Sequence, residues 1–157
     1  LDDFNPPSQK VRLIIFGGAA FILKYNLNRA TRDIDALGIE GELAEHLREK
    51  EYEEIFRING DCSGLMVLRD DFEEHLDKYS TGKELNFFDV YILGDYDLII
   101  SKFARGTRRD RNDIVESGIL KSINKKELDK LMKGALVGIP GEQRIKKDWE
   151  FLKKEYF

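Results

Sequence analysis

Residues 11–39 read VRLIIFGGAAFILKYNLNRATRDIDALGI, and this stretch sets the fold. Val11 to Phe16 is a short apolar, β-branched run, the pattern of a buried strand. Gly17-Gly18 ends it. Ala19 to Tyr25 then reads as a short helix stopped by Asn26, a residue that tolerates the left-handed conformation. Asp33 to Ile39 alternates polar and apolar positions, as a second strand does. Strand, glycine turn, helix and strand therefore follow one another within thirty residues.

Two features of this stretch carry chemistry. A glycine pair after a strand lets backbone amides approach an anion closely, and the following helix adds partial positive charge at its N-terminus. The same pair also serves as an ordinary tight turn. On a strand, residues i and i+2 share a face, so Asp33 and Asp35 project together. Two adjacent carboxylates repel, which calls for a cation, and hard oxygen donors suit Mg²⁺ or Mn²⁺. A solvated strand edge is the alternative reading of the same pair.

Outward from there, Glu42 to Glu54 reads as a charged helix, and Leu65 to Leu68 and Leu85 to Leu93 as two further strands. Asp95 suits the N-cap of a helix running to Arg105, with Gly106 as its C-terminal stop. Asp110 to Ser117 reads as a shorter helix. Asn124 with Glu127 resembles a capping box opening a helix to about Gly134, and a last helix follows Pro140-Gly141. The expectation is an α+β fold, a mixed sheet flanked by helices. Residues 1–120 would form the core, and residues 121–157 a helical segment packed on it within a single domain.

Composition narrows the function classes. Apolar residues make up 41% of the 157 and charged residues 36%, enough for a core under a highly charged surface. One cysteine, Cys62, excludes an internal disulfide, and His46 and His75 sit in Glu-rich stretches as surface residues. No apolar run reaches the roughly 18–20 residues of a membrane span and no signal-peptide pattern occurs, so the expected location is cytoplasmic. The net charge of −4 argues against general affinity for nucleic acid. Residues 1–101 carry 11 basic and 21 acidic side chains, residues 102–157 carry 15 and 9, so an acidic half precedes a basic one. Either the halves complement each other in packing, or carboxylates on one wall of a cleft face cations on the other.

Taken together, GGAAFILKYNLNRATRDID resembles the nucleotidyltransferase superfamily of polymerase-β-like fold, in particular its minimal and abortive-infection-type members. Gly-Gly, a helix and Arg-x-Thr-x-Asp-Ile-Asp fall at the family's spacing. The resemblance implies a triphosphate site at Gly17 and Gly18 with Arg29 and Thr31 beside it, and metal coordination by Asp33 and Asp35. Gly18-Ala19 departs from relatives with a serine after the first glycine, and Tyr25-Asn26 departs from their His-Gly. Many relatives add a third carboxylate, acting as base or second metal ligand. Asp89, a charge within the apolar LNFFDVYIL, is the first candidate, and Asp110 and Asp113 are the others.

A second block, DYDLIISKFARGTRRDRNDI at 95–114, resembles the family's Asp-Leu-Ile-x-x-Lys helix followed by Arg-Asp-x-x-Asp. By that likeness Lys102 contacts nucleotide phosphates, Arg105 lies a turn further along the same side, and Asp110 or Asp113 serves in the active site. The implied reaction, of EC 2.7.7 type, transfers a nucleoside monophosphate from a nucleoside triphosphate to an acceptor hydroxyl, with Mg²⁺ or Mn²⁺ as cofactor. Arginines 105, 108, 109 and 111 favour RNA, tRNA included, over a small molecule as acceptor. The alternative is a catalytically inactive nucleotide-binding or regulatory protein of the same fold, such as a toxin–antitoxin component with an antitoxin-like protein partner.

Overall fold

The computed structural model describes Phe4, residues 10–52, 55–57, 66–80, Gly82 and residues 85–156. Cys62 and the Asn5-Pro6-Pro7-Ser8 lead-in lie outside the described residues.

Among the described residues five strands form one mixed sheet: β1 (Val11–Phe16), β2 (Ile34–Leu37), β3 (Phe56–Arg57), β4 (Asp77–Lys78) and β5 (Phe88–Ile92), in the order β3-β2-β1-β5-β4. β1 is central, antiparallel to β2 and parallel to β5. That placement explains the apolar run Leu13–Phe16, because both faces of the strand are covered there, while Arg12 near its start is exposed and pairs with Glu73. Ile14 and Phe16 face one core cluster and Leu13 the other.

The helices divide between the two faces. On the first lie α1 (Gly17–Tyr25) and α3 (Asp95–Arg105), with α4 (Arg108–Glu116), α5 (Lys125–Ala135) and α6 (Glu142–Tyr156) stacked on α3. Ile145, Trp149 and Leu152 of α6 join Leu128 and Met132 of α5 in the same cluster as Phe103 of α3, so the C-terminal helices share the core of the sheet. Trp149 meets Phe103 edge-on at 5.4 Å and donates its indole N–H to Asp129. On the second face α2 (Gly41–Glu49) buries Leu43, Ala44 and Leu47 against Leu13, Ala36 and Phe88. No helix among the described residues is long and apolar enough to cross a membrane. The molecule is an α+β protein, as expected.

Several boundaries differ from the sequence reading. The first helix begins at Gly17, the second strand at Ile34, and α2 stops at Glu49 rather than Glu54. Met66 to Leu68 is irregular, not a strand, and only Phe88–Ile92 of the Leu85–Leu93 run is extended in the sheet. Gly94 caps α3, with Asp95 as its first residue. Thr107, not Asp110, opens α4, because its hydroxyl accepts from the Asp110 amide at 3.2 Å. Phe151 is 65% exposed, since Ile145, Trp149 and Leu152 fill the seam beneath α6 and position 151 falls off that stripe.

Candidate active site

The glycine turn is where the site begins. Gly17 has φ +63°, a left-handed conformation that costs a side chain and suits glycine. It turns the chain from β1 into α1, whose first turn carries no acidic residue of its own. Instead Asp35 supplies one. The register Phe16↔Asp35 brings the Asp35 carboxylate against Gly17, where a Cβ would stand 2.3 Å from Oδ2. A carboxylate at a helix N-terminus is electrostatically favoured. Gly18 is crowded in the same way, its missing Cβ lying 2.3 Å from Arg29 Nη2 and 3.5 Å from Thr31 Oγ1. Both glycines leave room for side chains of the Arg-x-Thr-x-Asp-x-Asp stretch, the Asp35 carboxylate at Gly17 and the Arg29 guanidinium at Gly18.

Asp33 sits one residue before β2, with the Thr31 hydroxyl 3.1 Å from its carbonyl and 3.3 Å from its Oδ1. The structure thus gathers Gly17, Gly18, Arg29, Thr31 and Asp35 at the turn, with Asp33 two residues before Asp35 and held by Thr31. Among the described residues no group of three His, Cys, Asp or Glu side chains could hold a metal ion together.

Asp89 is not brought to this turn. It pairs with Arg12 in the sheet, four residues before Phe16, which is about 13 Å along the strand from the level of Asp35. Its carboxylate is 3.2 Å from Lys78 Nζ and serves an ion pair there. The strand period fixes which face a residue takes and says nothing of its height along the strand.

Lys102, Asp110 and Asp113 form a buried cluster instead of an open phosphate contact. Each is at most 2% exposed. Lys102 Nζ donates to Asp110 Oδ1 at 2.9 Å and to Asp113 Oδ2 at 2.6 Å, with the Phe21 ring 5.6 Å away. Asp113 Oδ1 holds Arg29 Nη1 at 2.8 Å. Asp110 accepts from Arg105 Nη2 at 2.6 Å and Nε at 3.0 Å, and from the Thr107 hydroxyl at 2.7 Å. Burial alone would raise the Asp110 pKa, but hydrogen bonds from Arg105, Thr107 and Lys102 hold it well below the usual carboxylate range. The structure places Asp110 as the counter-ion of Lys102 and Arg105. Arg105 keeps contact with solvent and feels the charge of Asp35.

Thr107 is the residue of this site that the sequence reading missed. Its signal was present, because Thr107-Arg-Arg-Asp110 fits the spacing of a capping box.

A separate cleft of about 620 Å³ opens by the far end of α1, lined in part by Lys24, Arg69, Asp77, Asp95 and Glu127. Its cations are already taken, Lys24 by Asp77 and Asp95 and Arg69 by the fully buried Asp97.

Neither a search of curated proteins nor a search of solved structures returned a match. A family model does match, over residues 1–156, and with its glycine turn and Asp-x-Asp strand the chain belongs to that family, described as nucleotidyltransferase of unknown function (DUF6036).

Proposed function

We propose that the protein is a metal-dependent nucleotidyltransferase that binds a nucleoside triphosphate at the Gly17-Gly18 turn. The acceptor's hydroxyl oxygen attacks the α-phosphorus, the bond to the β-phosphate breaks, and pyrophosphate leaves. The observation that carries this reading is the packing of Asp35 on Gly17 and of Arg29 on Gly18 at the N-terminus of α1. Backbone amides there donate toward phosphate oxygens, while Arg29 and Arg105 neutralise charge at the edge of the turn.

The donor set fits a hard divalent cation. Asp33 and Asp35 would hold Mg²⁺ or Mn²⁺, which favours one or two carboxylates plus substrate phosphates over a full protein cage. Such an ion supplies charge stabilisation at the reacting phosphate. For the acceptor, the outer face of α4 supports RNA. Arg108, Arg109 and Arg111 are exposed and make no ion pair among the described residues. Arg108 and Arg111 also line a groove of about 360 Å³ that reaches the exposed Phe151.

The test is to measure Mn²⁺-dependent binding of each nucleoside triphosphate by wild type and by Asp33→Asn/Asp35→Asn. Binding by wild type and its loss in the double variant are the expected result. Equal metal-dependent binding by both proteins removes the pair from the site, and turnover absent in spite of binding leaves the inactive, regulatory reading standing.

A further inference from the structure

The glycine turn and Asp33–Asp35 do not account for the buried charges of α3 and α4. Burying Lys102, Asp110 and Asp113 together costs desolvation that apolar residues in their place would avoid. The cluster is arranged as a frame. Its centre is Lys102, shared by both carboxylates, and each carboxylate grips one arginine that reaches outward, Asp113 holding Arg29 and Asp110 holding Arg105.

The arginines are gripped on one side only. Arg29 gives Nη1 to Asp113 while Nη2 overlies Gly18, and its Nε is buried with no hydrogen-bond partner among the described residues. An N–H left in that state, beside a turn of backbone amides, lacks an acceptor. Arg105 is held edge-on by Asp110 through Nε and Nη2 and lies within the field of Asp35. Arginines held this way give up little rotamer freedom when an anion arrives, which is how preorganisation raises affinity. Were Lys102 to leave for a phosphate, Asp110 and Asp113 would lose their shared counter-ion beside an incoming anion.

We propose that Asp113 and Asp110, locked by Lys102, are positioning residues that present Arg29 and Arg105 as a preformed pair of guanidinium groups to the phosphates at the Gly17-Gly18 turn, and that Lys102 itself touches no phosphate. This rests on the triphosphate reading above. It assigns Asp113 an action exerted through Arg29, not on the reacting atoms.

Inorganic tripolyphosphate with Mn²⁺ reads the phosphate contacts without a base. It is titrated into wild type, Arg29→Ala, Asp113→Asn and the double variant. Each single variant is expected to bind about tenfold or more weakly, the scale of one lost charge-assisted hydrogen bond. In the Arg29→Ala background, Asp113→Asn should then add almost nothing, because its target is gone. Additive losses overturn the proposal, as does full affinity in Asp113→Asn. In the unliganded protein the Arg29 Nε–H resonance should be sharp and slow to exchange in wild type, and broadened in Asp113→Asn; an unchanged resonance counts against positioning. Should Asp113→Asn fail to fold, Arg29→Lys decides, since it keeps the charge and loses the fork. Wild-type affinity in that variant overturns the proposal. If wild type binds no tripolyphosphate, the triphosphate reading falls and this proposal with it; binding that needs Arg29 but ignores Asp113 overturns this proposal alone.

Discussion

Arg29 lies across Gly18, its Nη2 atom 2.3 Å from the place a Cβ would occupy, while Nη1 of the same guanidinium is tied to Asp113. A methyl group at position 18 must push the guanidinium off the turn. Alanine also has a helix propensity up to about 1 kcal/mol better than glycine, which offsets the cost of that displacement. Gly18→Ala should therefore melt close to wild type and yet lose Mn²⁺-dependent triphosphate binding. Gly17→Ala differs, since it adds a left-handed penalty of about 1–2 kcal/mol to the collision with Asp35. Thermal denaturation should rank Gly17→Ala clearly below Gly18→Ala; the reverse order would show that the turn is not under this constraint.

Lys102 stands between two carboxylates in a space closed to solvent. Removing one partner of a buried charge cluster leaves the others uncompensated, at a cost of about 3–5 kcal/mol. Lys102→Ala is expected to lose stability on that scale in urea denaturation. Lys78→Ala, which removes an exposed partner of Asp89, should leave the midpoint near wild type. A Lys102→Ala variant as stable as wild type but unable to bind triphosphate would instead mark Lys102 as a direct phosphate contact.

The parts of the site that could be read from the sequence are those set by local chemistry. The β-branched run before Gly17-Gly18, the left-handed stops at Asn26 and Gly106, and the Asn124 cap depend on neighbours in the chain, and they lie where the residues said. What depends on long-range pairing was hidden. β3 and β4 are two residues each and exist because β2 and β5 pair with them, and Asp77-Lys78 has no strand-like pattern of its own. Asp89 shows the same limit, since its height along the strand is set by the pairing of β5 with β1. For Lys102, helical spacing put it beside Arg105. That α4 folds back over it follows from the turn at Gly106, at φ +66°, and from the Thr107 cap.

Asp110 makes acid stability a reporter of the frame. Its folded pKa is depressed, with burial opposing and Arg105, Thr107 and Lys102 prevailing. A depressed carboxylate contributes stability that is fully present above its unfolded pKa of about 3.9 and is lost as pH falls toward the folded value. Urea midpoints of wild type and Asp110→Asn should therefore differ most at pH 6 to 7 and converge as pH drops below about 4. A gap that stays constant down to pH 3 would mean that Asp110 is not held as the charged partner of this cluster.

The acceptor is tested through salt. α4 turns Asp110 and Asp113 inward to the buried frame and Arg108, Arg109 and Arg111 outward, so one nine-residue helix carries the frame's carboxylates on one side and an exposed basic face on the other. Phe151 lies across the groove and offers a ring on which a base can stack. Glu116 and Glu155 line the same groove, and the whole chain carries −4, so any RNA contact is local. Each phosphate neutralised contributes about 0.7–0.9 to the slope of log affinity against log salt, and a few contacts give a slope of roughly −2 to −4. Bulk tRNA binding should follow that slope. Replacing Arg108, Arg109 and Arg111 with alanine should flatten it while sparing triphosphate binding, and Phe151→Ala should weaken binding without changing the slope, since stacking releases no counterions. No association with tRNA at 50 mM salt would move the acceptor to a small molecule. Association whose slope survives the triple substitution would place the RNA on another face of the molecule.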